Sequence, residues 1–381
     1  MNGFEITGQI LWNFMPVWIG LVVIFAVSAY FRRSLGLYGR LFDSPIGMVG
    51  LGIVLFWVLT AIFADLIITQ DPLIQISGMK NKVPGTPIPG QEGTYYLLGG
   101  DNLARDVFSR VVMGSRTVLQ IAPAATLFAF MVGISLGLPA GYFGGRFDTV
   151  LSFVANLVLA FPVILLFYLL VTKDIIETGI PQGLAAVLFI MPIIFLLVLF
   201  VSRFSVQPGK LAIFVVLTLV IGAWIYTGIV FNYDPIGIVG MDPNLLNVFV
   251  SVVFVNSPTV FRIVRGLTID IQTRDYVAAA QTRGETPWYI MLWEILPNAR
   301  GPLIVDFCLR IGYTTILLGT LGFFGLGIGP ESSDWGATIN EGRKLLSIYP
   351  HPALPPALAL MSLVLGLNLL ADGLREQSLK D

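Results

Sequence analysis

Nine long apolar stretches constrain the fold of this chain more than any other feature of its sequence. Each is poor in charge and about 17 to 25 residues long, which is the length a helix needs to cross the hydrocarbon core of a bilayer while bonding its own backbone. The stretches lie at about residues 9–31, 46–68, 117–141, 149–172, 184–202, 211–231, 245–264, 302–322 and 353–373. They predict an all-α fold, a polytopic transmembrane helical bundle.

The composition supports this prediction and excludes several functions. Hydrophobic residues make up 56% of the 381 residues and charged residues only 12%, as in membrane proteins rather than globular ones. The net charge is −1 and no basic stripe is present, which argues against nucleic-acid binding. With one cysteine, Cys308, and one histidine, His351, the chain is expected to hold neither a disulfide nor a metal.

The basic residues near the ends of the stretches predict the orientation in the membrane. Arg32 and Arg33 follow the first stretch and no basic residue precedes it, so it is predicted to be a retained span that starts outside and ends in the cytoplasm. Nine crossings would place most of the basic residues of the later loops in the cytoplasm as well. Eight crossings are the alternative, because the glycine-rich residues 319–330 could leave the eighth helix early; that count would reverse the exposure of one terminus.

The loop ahead of the third stretch, residues 69–115, is predicted to lie outside. Asp101 or Asn102 can cap a short helix whose Val107 and Phe108 lie on one side. We therefore expect an amphipathic helix on the membrane surface. Docking of a soluble partner is the alternative.

Residues 274–298, between the seventh and eighth stretches, are too polar for a span and predict a helix, a tight turn and a second helix. Gly284 suits the left-handed position that ends a helix. Thr286 can cap the next helix, and Pro287 fits its first position because that amide has no internal partner. Pro297 is expected to break the hydrogen-bond ladder of the second helix.

One face of the second helix is predicted to rest on the membrane bundle. Its apolar residues recur at three- and four-residue spacing, which is typical of an amphipathic helix. They are Trp288, Met291, Leu292 and Ile295. The whole element is expected to lie across the cytoplasmic face, where a partner can reach it.

Asp306 and Arg310 are ionisable residues within the eighth stretch. Burying such groups in lipid is costly, so they are candidates for function. Since they are four residues apart on one predicted helix, they can form a self-neutralised pair turned into the bundle. Lining a translocation path is the alternative.

The chemistry of an enzyme is not found in the sequence. No GxxxxGK[ST] loop is present, and QPGK at 207–210 lacks the leading glycine and the following hydroxyl residue. No HExxH motif or plausible Ser/His arrangement occurs either. The chain is therefore expected to be neither an ATPase of that type nor another enzyme.

Several motifs, in order along the chain, resemble those of ABC importer permeases. Two alanines followed by Gly284, with Leu296-Pro297 ending thirteen positions later, resemble the cytoplasmic signature of these permeases. Tyr-Val-x-Ala-Ala ahead of the glycine is similar to the second-permease type of the dipeptide, oligopeptide and nickel branch. The other motifs are LGGDNLARDVFSR, AGYFGGRFDTVLSF, LAFPVILL, FRIVRG, FFGLGIGPESSDWGATINEGR and NLLADGLRE.

This resemblance implies the fold of a type I ABC importer permease core, of six helices, with additional transmembrane helices. The family core has no span like the first stretch and no insertion like residues 174–242. The resulting organisation is an additional N-terminal helix and cytoplasmic linker (1–45), the first core helix and external segment (46–116), core helices (117–173), an inserted transmembrane hairpin (174–242), and core helices with coupling helices at about 270–296 (243–381).

The resemblance also implies the function and the partners. The chain would be a permease subunit in a bacterial-type inner membrane, pairing with a homologous permease, two ATPase subunits and an external solute-binding protein. ATP and Mg²⁺ would bind the ATPase subunits, and this chain would bind no cofactor. The solute would be a peptide or a similar molecule.

In that family the signature segment docks into a groove of the ATPase. The residues expected to form it here are Tyr276, Ala279, Ala280, Gly284, Thr286 and Pro287, followed by Pro297. A bulky side chain at Ala279 or Ala280 is expected to block docking. Two other classes of function stay open: an ion-coupled secondary transporter, which needs inverted repeats, and a membrane anchoring protein, in which scrambling residues 276–287 would leave uptake intact.

Overall fold

The computed structural model describes residues 1–237, 243–326 and 332–378, and these are mostly helical, with a short two-stranded sheet. Seven of the described helices are long and apolar enough to cross a membrane, and two bent helix pairs bring the number of possible spans to nine. Each possible span coincides with one predicted stretch. The chain divides into two compact units, residues 1–123 with 308–381, and residues 124–307.

The described helices and strands follow one another in this order. They are α1 (Gly3–Asn13), α2 (Met15–Tyr30), α3 (Gly36–Arg40), a 3₁₀ turn (Leu41–Asp43), α4 (Pro45–Ile62), α5 (Ala64–Ile67), β1 (Thr86–Pro87), β2 (Tyr95–Tyr96), α6 (Val107–Phe143), α7 (Gly145–Ala160), α8 (Val163–Val171), α9 (Lys173–Glu177), α10 (Ile180–Phe204), α11 (Pro208–Phe231), α12 (Pro243–Ile271), α13 (Asp275–Thr282), α14 (Pro287–Tyr289), a π-helical segment (Ile290–Ile295), α15 (Leu296–Asn298), α16 (Arg300–Phe323), α17 (Trp335–Arg343) and α18 (Leu354–Ser378).

In the first unit, α4 and α18 meet backbone to backbone along a row of glycines. A Cβ atom added to Gly50 would lie 2.3 Å from the backbone nitrogen of Leu370, and one added to Gly373 would lie 2.3 Å from the Cα atom of Gly47. Small residues permit such close approach, which is a main source of helix association in lipid. The α4–α18 contact is further fixed where Trp57 Nε1 donates to Ser362 Oγ at 2.9 Å.

The predicted first span is not one straight helix. It begins at Gly3, earlier than predicted, and bends by 53° between α1 and α2. Pro16 stands in the first turn of α2, where its ring prevents α1 from continuing as one regular helix. Phe14 at the bend is 8% exposed and packs against the rings of Phe56 and Phe108.

The amphipathic surface helix predicted near Asp101 is wrong. The long helix α6 begins directly at Val107, and both Val107 and Phe108 are buried. The capping side chain is that of Asp106, which accepts from the backbone nitrogens of Phe108 and Ser109. Because no proline separates this start from the following apolar stretch, one helix runs through both.

In the second unit, α12 is the most buried of the possible spans and packs against α7, α8 and α10. Glycines on one face of α6 let α12 come close; a Cβ atom added to Gly133 would lie 2.5 Å from Val260 Cγ1. The predicted span at 149–172 is instead the pair α7 and α8, bent by 86°. The break falls at Phe161 and Pro162, since a residue before proline disfavours helical backbone.

The inserted residues 174–242 contain the two helices α10 and α11, joined by a short connection at 205–207. We call this pair the inserted hairpin. The start of α10 lies beside the end of α11, where Gln182 Nε2 donates to the carbonyl of Val230 at 3.1 Å. Its opposite end is closed by stacked rings, with Phe204 and Phe214 centred 5.0 Å apart. Residues 238–242 of the predicted insertion lie outside the described part of the chain.

Candidate functional site

Residues 275–298 form the predicted helix, turn and second helix, which we call the coupling element. Gly284 has φ +78°, and the backbone nitrogen of Glu285 donates to the carbonyl of Ala280 at 3.2 Å across the turn. The side chain of Thr286 accepts from the backbone nitrogen of Tyr289 at 3.3 Å, and Pro287 occupies the first helical position. These local features agree with the sequence prediction, except that α12 runs to Ile271, so the element begins five residues later than 270.

Pro297 does not end the second helix as predicted. Helical backbone continues through Asn298, and the six residues Ile290–Ile295 form a π-helical segment just before the proline. Proline lacks an amide donor and its ring collides with the carbonyl of the preceding turn of a regular helix. A wider turn removes this conflict, and such π segments are frequent at functional sites.

The predicted apolar stripe is correct for three of its four residues. Met291, Leu292 and Ile295 are buried, but Trp288 is 43% exposed. The indole of Trp288 lies at the start of the helix and contacts the edge of the Phe143 ring, at 6.2 Å between centroids. Ile290, which is 1% exposed, takes its place in the core because the π segment changes the helical register.

The exposed surface of the coupling element contains most of the residues that the family resemblance singles out. Those on the surface are Tyr276, Ala279, Gly284, Thr286, Pro287 and Pro297. Ala280 is fully buried, in an apolar cluster that includes Val277, Met291 and Ile295. The expectation that Ala280 contacts a partner is therefore wrong, since its side chain points from α13 into the protein.

Polar contacts bind the coupling element to the rest of the second unit. Trp293 Nε1 donates to Ser202 Oγ at 3.1 Å, and the guanidinium of Arg203 lies 4.9 Å from the centre of the Trp293 indole. Arg283 on the first half of the element bonds Glu294 on the second half at 3.0 Å. The link to the inserted hairpin was not predicted, because no local pattern reveals a contact over ninety residues of sequence.

A second ion pair joins two of the motifs quoted above. Arg265 of FRIVRG, on α12, bonds Asp148 of AGYFGGRFDTVLSF, on α7, and the distance from Arg265 Nη2 to Asp148 Oδ2 is 2.6 Å. Bidentate pairing of this kind fixes orientation as well as adding energy. It holds the first turn of α7 against α12.

Asp306 and Arg310 lie one turn apart on α16, as predicted. Asp306 is partly buried and Arg310 is 9% exposed. Their position inside a possible span keeps them candidates for the translocation path, and that role stays a prediction.

The first unit holds a buried ion-pair cluster that the sequence did not predict. We define it by Asp101, Arg105, Arg110 and Glu341, from the motifs LGGDNLARDVFSR and DWGATINEGR. Arg105 bonds both carboxylates, and Arg110 lies 3.3 Å from Glu341 and donates to Thr338 Oγ1 at 2.9 Å. The two guanidinium groups are nearly inaccessible to solvent. The glycine-rich residues 327–331 that precede α17 lie outside the described part of the chain.

Asp334 caps the N-terminal end of α17, beside this cluster. Its pKa indicates that the stability of the protein depends on pH. Its carboxylate accepts from the backbone nitrogen of Ala337 at 3.1 Å, but burial raises its pKa from 3.8 to about 6. A buried acid with a raised pKa binds its proton more tightly in the folded state. We therefore expect the free energy of unfolding to fall as the pH rises from about 4 to about 6.

The Asp334→Asn variant tests this expectation, since the amide oxygen can still cap α17. Thermal unfolding of the purified protein across this pH range should show the fall in the parent chain and a flatter profile in the variant. Identical profiles would exclude Asp334 as the source of the pH dependence.

Comparisons with known proteins agree with this architecture. Residues 133–378 match the family described as the binding-protein-dependent transport system inner membrane component. Residues 37–84 match the N-terminal TM domain of oligopeptide transport permease C. The two matches together include the coupling element, α4 and both ends of the inserted hairpin.

Individual relatives are also similar over most of their length. The glutathione transport system permease protein of Pectobacterium atrosepticum is 31% identical over 74% of this chain and 71% of its own. The dipeptide transport system permease protein of Alkalihalophilus pseudofirmus is 27% identical over 89% and 87%, respectively. A probable D,D-dipeptide transport system permease protein of Escherichia coli is 26% identical over 87% of each chain.

These matches do not agree with an ion-coupled secondary transporter, the main alternative raised by the sequence. Permease subunits of this kind are transport components without catalytic activity, and they lie in the inner membrane as multi-pass proteins. The chain belongs to the family of binding-protein-dependent transport system inner membrane components, as the transmembrane permease subunit of an ABC importer.

Proposed function

We propose that this permease carries peptides or similarly sized polar solutes into the cell. The relatives that support this substrate class are named for glutathione, dipeptides and D,D-dipeptides. An external solute-binding protein delivers the solute, and a homologous permease subunit provides the other half of the path. Two ATPase subunits, which bind ATP and Mg²⁺, supply the energy. Asp306 and Arg310 are the residues of this chain that we place along the path.

The single observation that carries the mechanism is the exposed face of the coupling element. Ala279 offers a side chain small enough for close backbone approach, and Tyr276 stands one turn before it on the same exposed surface. We place this face in the cytoplasm, in a groove of one ATPase subunit. Closure of the ATPases on ATP moves the element, and the contacts of Trp293 and of the buried stripe carry that movement into α10 and α12. Hydrolysis then resets the permeases to their other state.

Purification from the native membrane tests this proposal. We expect two ATPase subunits and a second permease to accompany the chain, and uptake of labelled dipeptides or glutathione to require ATP. Recovery without any ATPase, or uptake driven by an ion gradient without nucleotide consumption, would overturn it. Uptake of a different solute with ATPases present would overturn only the substrate class.

Gly284 provides a sharper test of the turn. A Cβ atom at this position meets no other atom within 4 Å, so a substitution is penalised by the backbone alone. The left-handed conformation costs an ordinary residue about 1–2 kcal/mol, and valine more because of its branched side chain. We expect Gly284→Val to distort the turn and abolish transport, with membrane insertion unchanged. Gly284→Asn, which tolerates positive φ, should retain transport; equal loss in both variants would show that the backbone conformation is not what matters.

A further inference from the structure

An apolar cavity of about 370 Å³ lies between α6, α10 and α11 in the second unit. Residues of α10 line it at helical spacing from Phe189 to Phe200, and residues of α11 line it from Phe214 to Ile229. At 1.5 Å per residue the lining of α11 extends for about 22 Å. The cavity is therefore long and narrow, and its long axis runs along the hairpin.

The lining offers an occupant no polar partner. Thr218 Oγ1 donates to the carbonyl of Phe214 at 2.7 Å, and the Tyr226 hydroxyl donates to the carbonyl of Ala186 at 3.0 Å. Both hydroxyl hydrogens are thus used within the hairpin. Cavities with apolar walls stay dry and take apolar guests, so a hydrocarbon chain fits this one and a polar solute does not.

The cavity opens at the exposed apolar surface of the inserted hairpin. Leu217 and Ile221 on its edge are 48% and 47% exposed, and α10 and α11 are among the least buried of the possible spans. Phe128 of α6 closes the inner side, with its ring 5.2 Å from that of Phe189. A lipid chain can enter from the bilayer without crossing the protein.

Charge distinguishes the two ends of the cavity. Arg203 follows Phe200 by one turn on α10, and Lys210 precedes Phe214 by one turn on α11, so both cations lie just beyond the same end. Both are exposed. No acidic residue occurs between 178 and 233, whereas Asp174, Glu177 and Asp234 flank the hairpin at its opposite end. Lys173 also lies at that opposite end, so the hairpin presents positive charge at one end of the long apolar cavity and net negative charge at the other.

We propose that the inserted hairpin binds one anionic phospholipid, with an acyl chain in the cavity and its phosphate against Arg203 and Lys210. Basic side chains at helix ends on the cytoplasmic side attract anionic lipid headgroups electrostatically. The orientation predicted from the sequence places this end in the cytoplasmic leaflet. Because Arg203 also contacts Trp293, the bound headgroup lies beside a contact that holds the coupling element.

The test uses the full chain in its purified complex, reconstituted in nanodiscs of phosphatidylcholine alone or mixed with phosphatidylglycerol. Native mass spectrometry after release from the nanodiscs counts the retained lipid. We expect the parent chain to retain phosphatidylglycerol in preference to phosphatidylcholine, and to unfold at a higher temperature when phosphatidylglycerol is present. Equal retention of the two lipids would overturn the proposal.

Two pairs of variants separate the acyl-chain site from the headgroup site. Leu217→Trp fills the edge of the cavity and should remove the retained lipid, whereas Val216→Trp, next to it and 57% exposed but outside the lining, should not. Lys210→Gln should lower the preference for phosphatidylglycerol, and Lys173→Gln, an exposed cation at the opposite end, should leave it unchanged. Equal effects within either pair would contradict the site. Lys210 is exposed, so a failure of that variant to fold is not expected.

Discussion

Ala279→Trp should abolish uptake while leaving the fold of the permease intact. Ala279 is exposed on α13, in the middle of the face that we assign to the ATPase. An indole there adds bulk to a surface that must approach another backbone closely, and each 1.4 kcal/mol of lost docking energy lowers the association constant tenfold. We expect uptake and co-purification of the ATPase subunits to fall at least tenfold, measured with the same amount of permease in the membrane.

The neighbouring residue is the matched control, because Ala280 is fully buried. Ala280→Leu overfills the cluster around Val277 and Met291, which typically costs about 1–3 kcal/mol. It should therefore lower the unfolding temperature, whereas Ala279→Trp should not. Unfolding can be followed by labelling Cys308, the only cysteine of the chain. Ala279 would not belong to a docking surface if Ala279→Trp lowered both the co-purification of ATPase subunits and the unfolding temperature, or if it lowered neither.

Removing one carboxylate from the buried ion-pair cluster should be the most damaging change to stability. Glu341→Ala would remove the carboxylate that pairs with both buried guanidinium groups, those of Arg105 and Arg110. An uncompensated buried charge typically costs about 3–5 kcal/mol. We expect a large fall in the unfolding temperature of the purified protein and poor recovery from the membrane.

An exposed ion pair gives the comparison for this prediction. Asp65 pairs with Arg116 at 2.8 Å, but its side chain is 67% exposed. Asp65→Ala should therefore leave the unfolding temperature of the purified protein almost unchanged. Similar losses in Asp65→Ala and Glu341→Ala would mean that burial does not determine the strength of the cluster.

The sequence predicts the possible spans well, because a long apolar stretch needs no knowledge of its neighbours. It does not predict their bends. Pro192 and Pro258 lie inside continuous helices, whereas Pro162 stands at a bend of 86°. All of them remove a backbone donor, so the difference depends on what packs around each proline and not on the local residues.

In the coupling element too, features set by neighbouring residues could be predicted from the sequence, and features set by tertiary packing could not. Gly284 and Thr286 follow from rules about turns and caps that act within a few residues. Whether Ala279 or Ala280 faces outward depends on how α13 is rotated against the bundle. The π segment before Pro297 likewise depends on how the second helix packs. The ion-pair cluster joins residues more than two hundred positions apart, a distance that no local pattern spans.

The glycine row between α4 and α18 limits how this permease can move. Sliding one helix past the other by a single position would drive a side chain into the gap at Gly50, where even a methyl group finds the backbone of Leu370 at 2.3 Å. The packing of α4 against α18 therefore permits one register, and the register shifted by one residue is excluded. We therefore expect α4 and α18 to move together during the transport cycle, without sliding past each other.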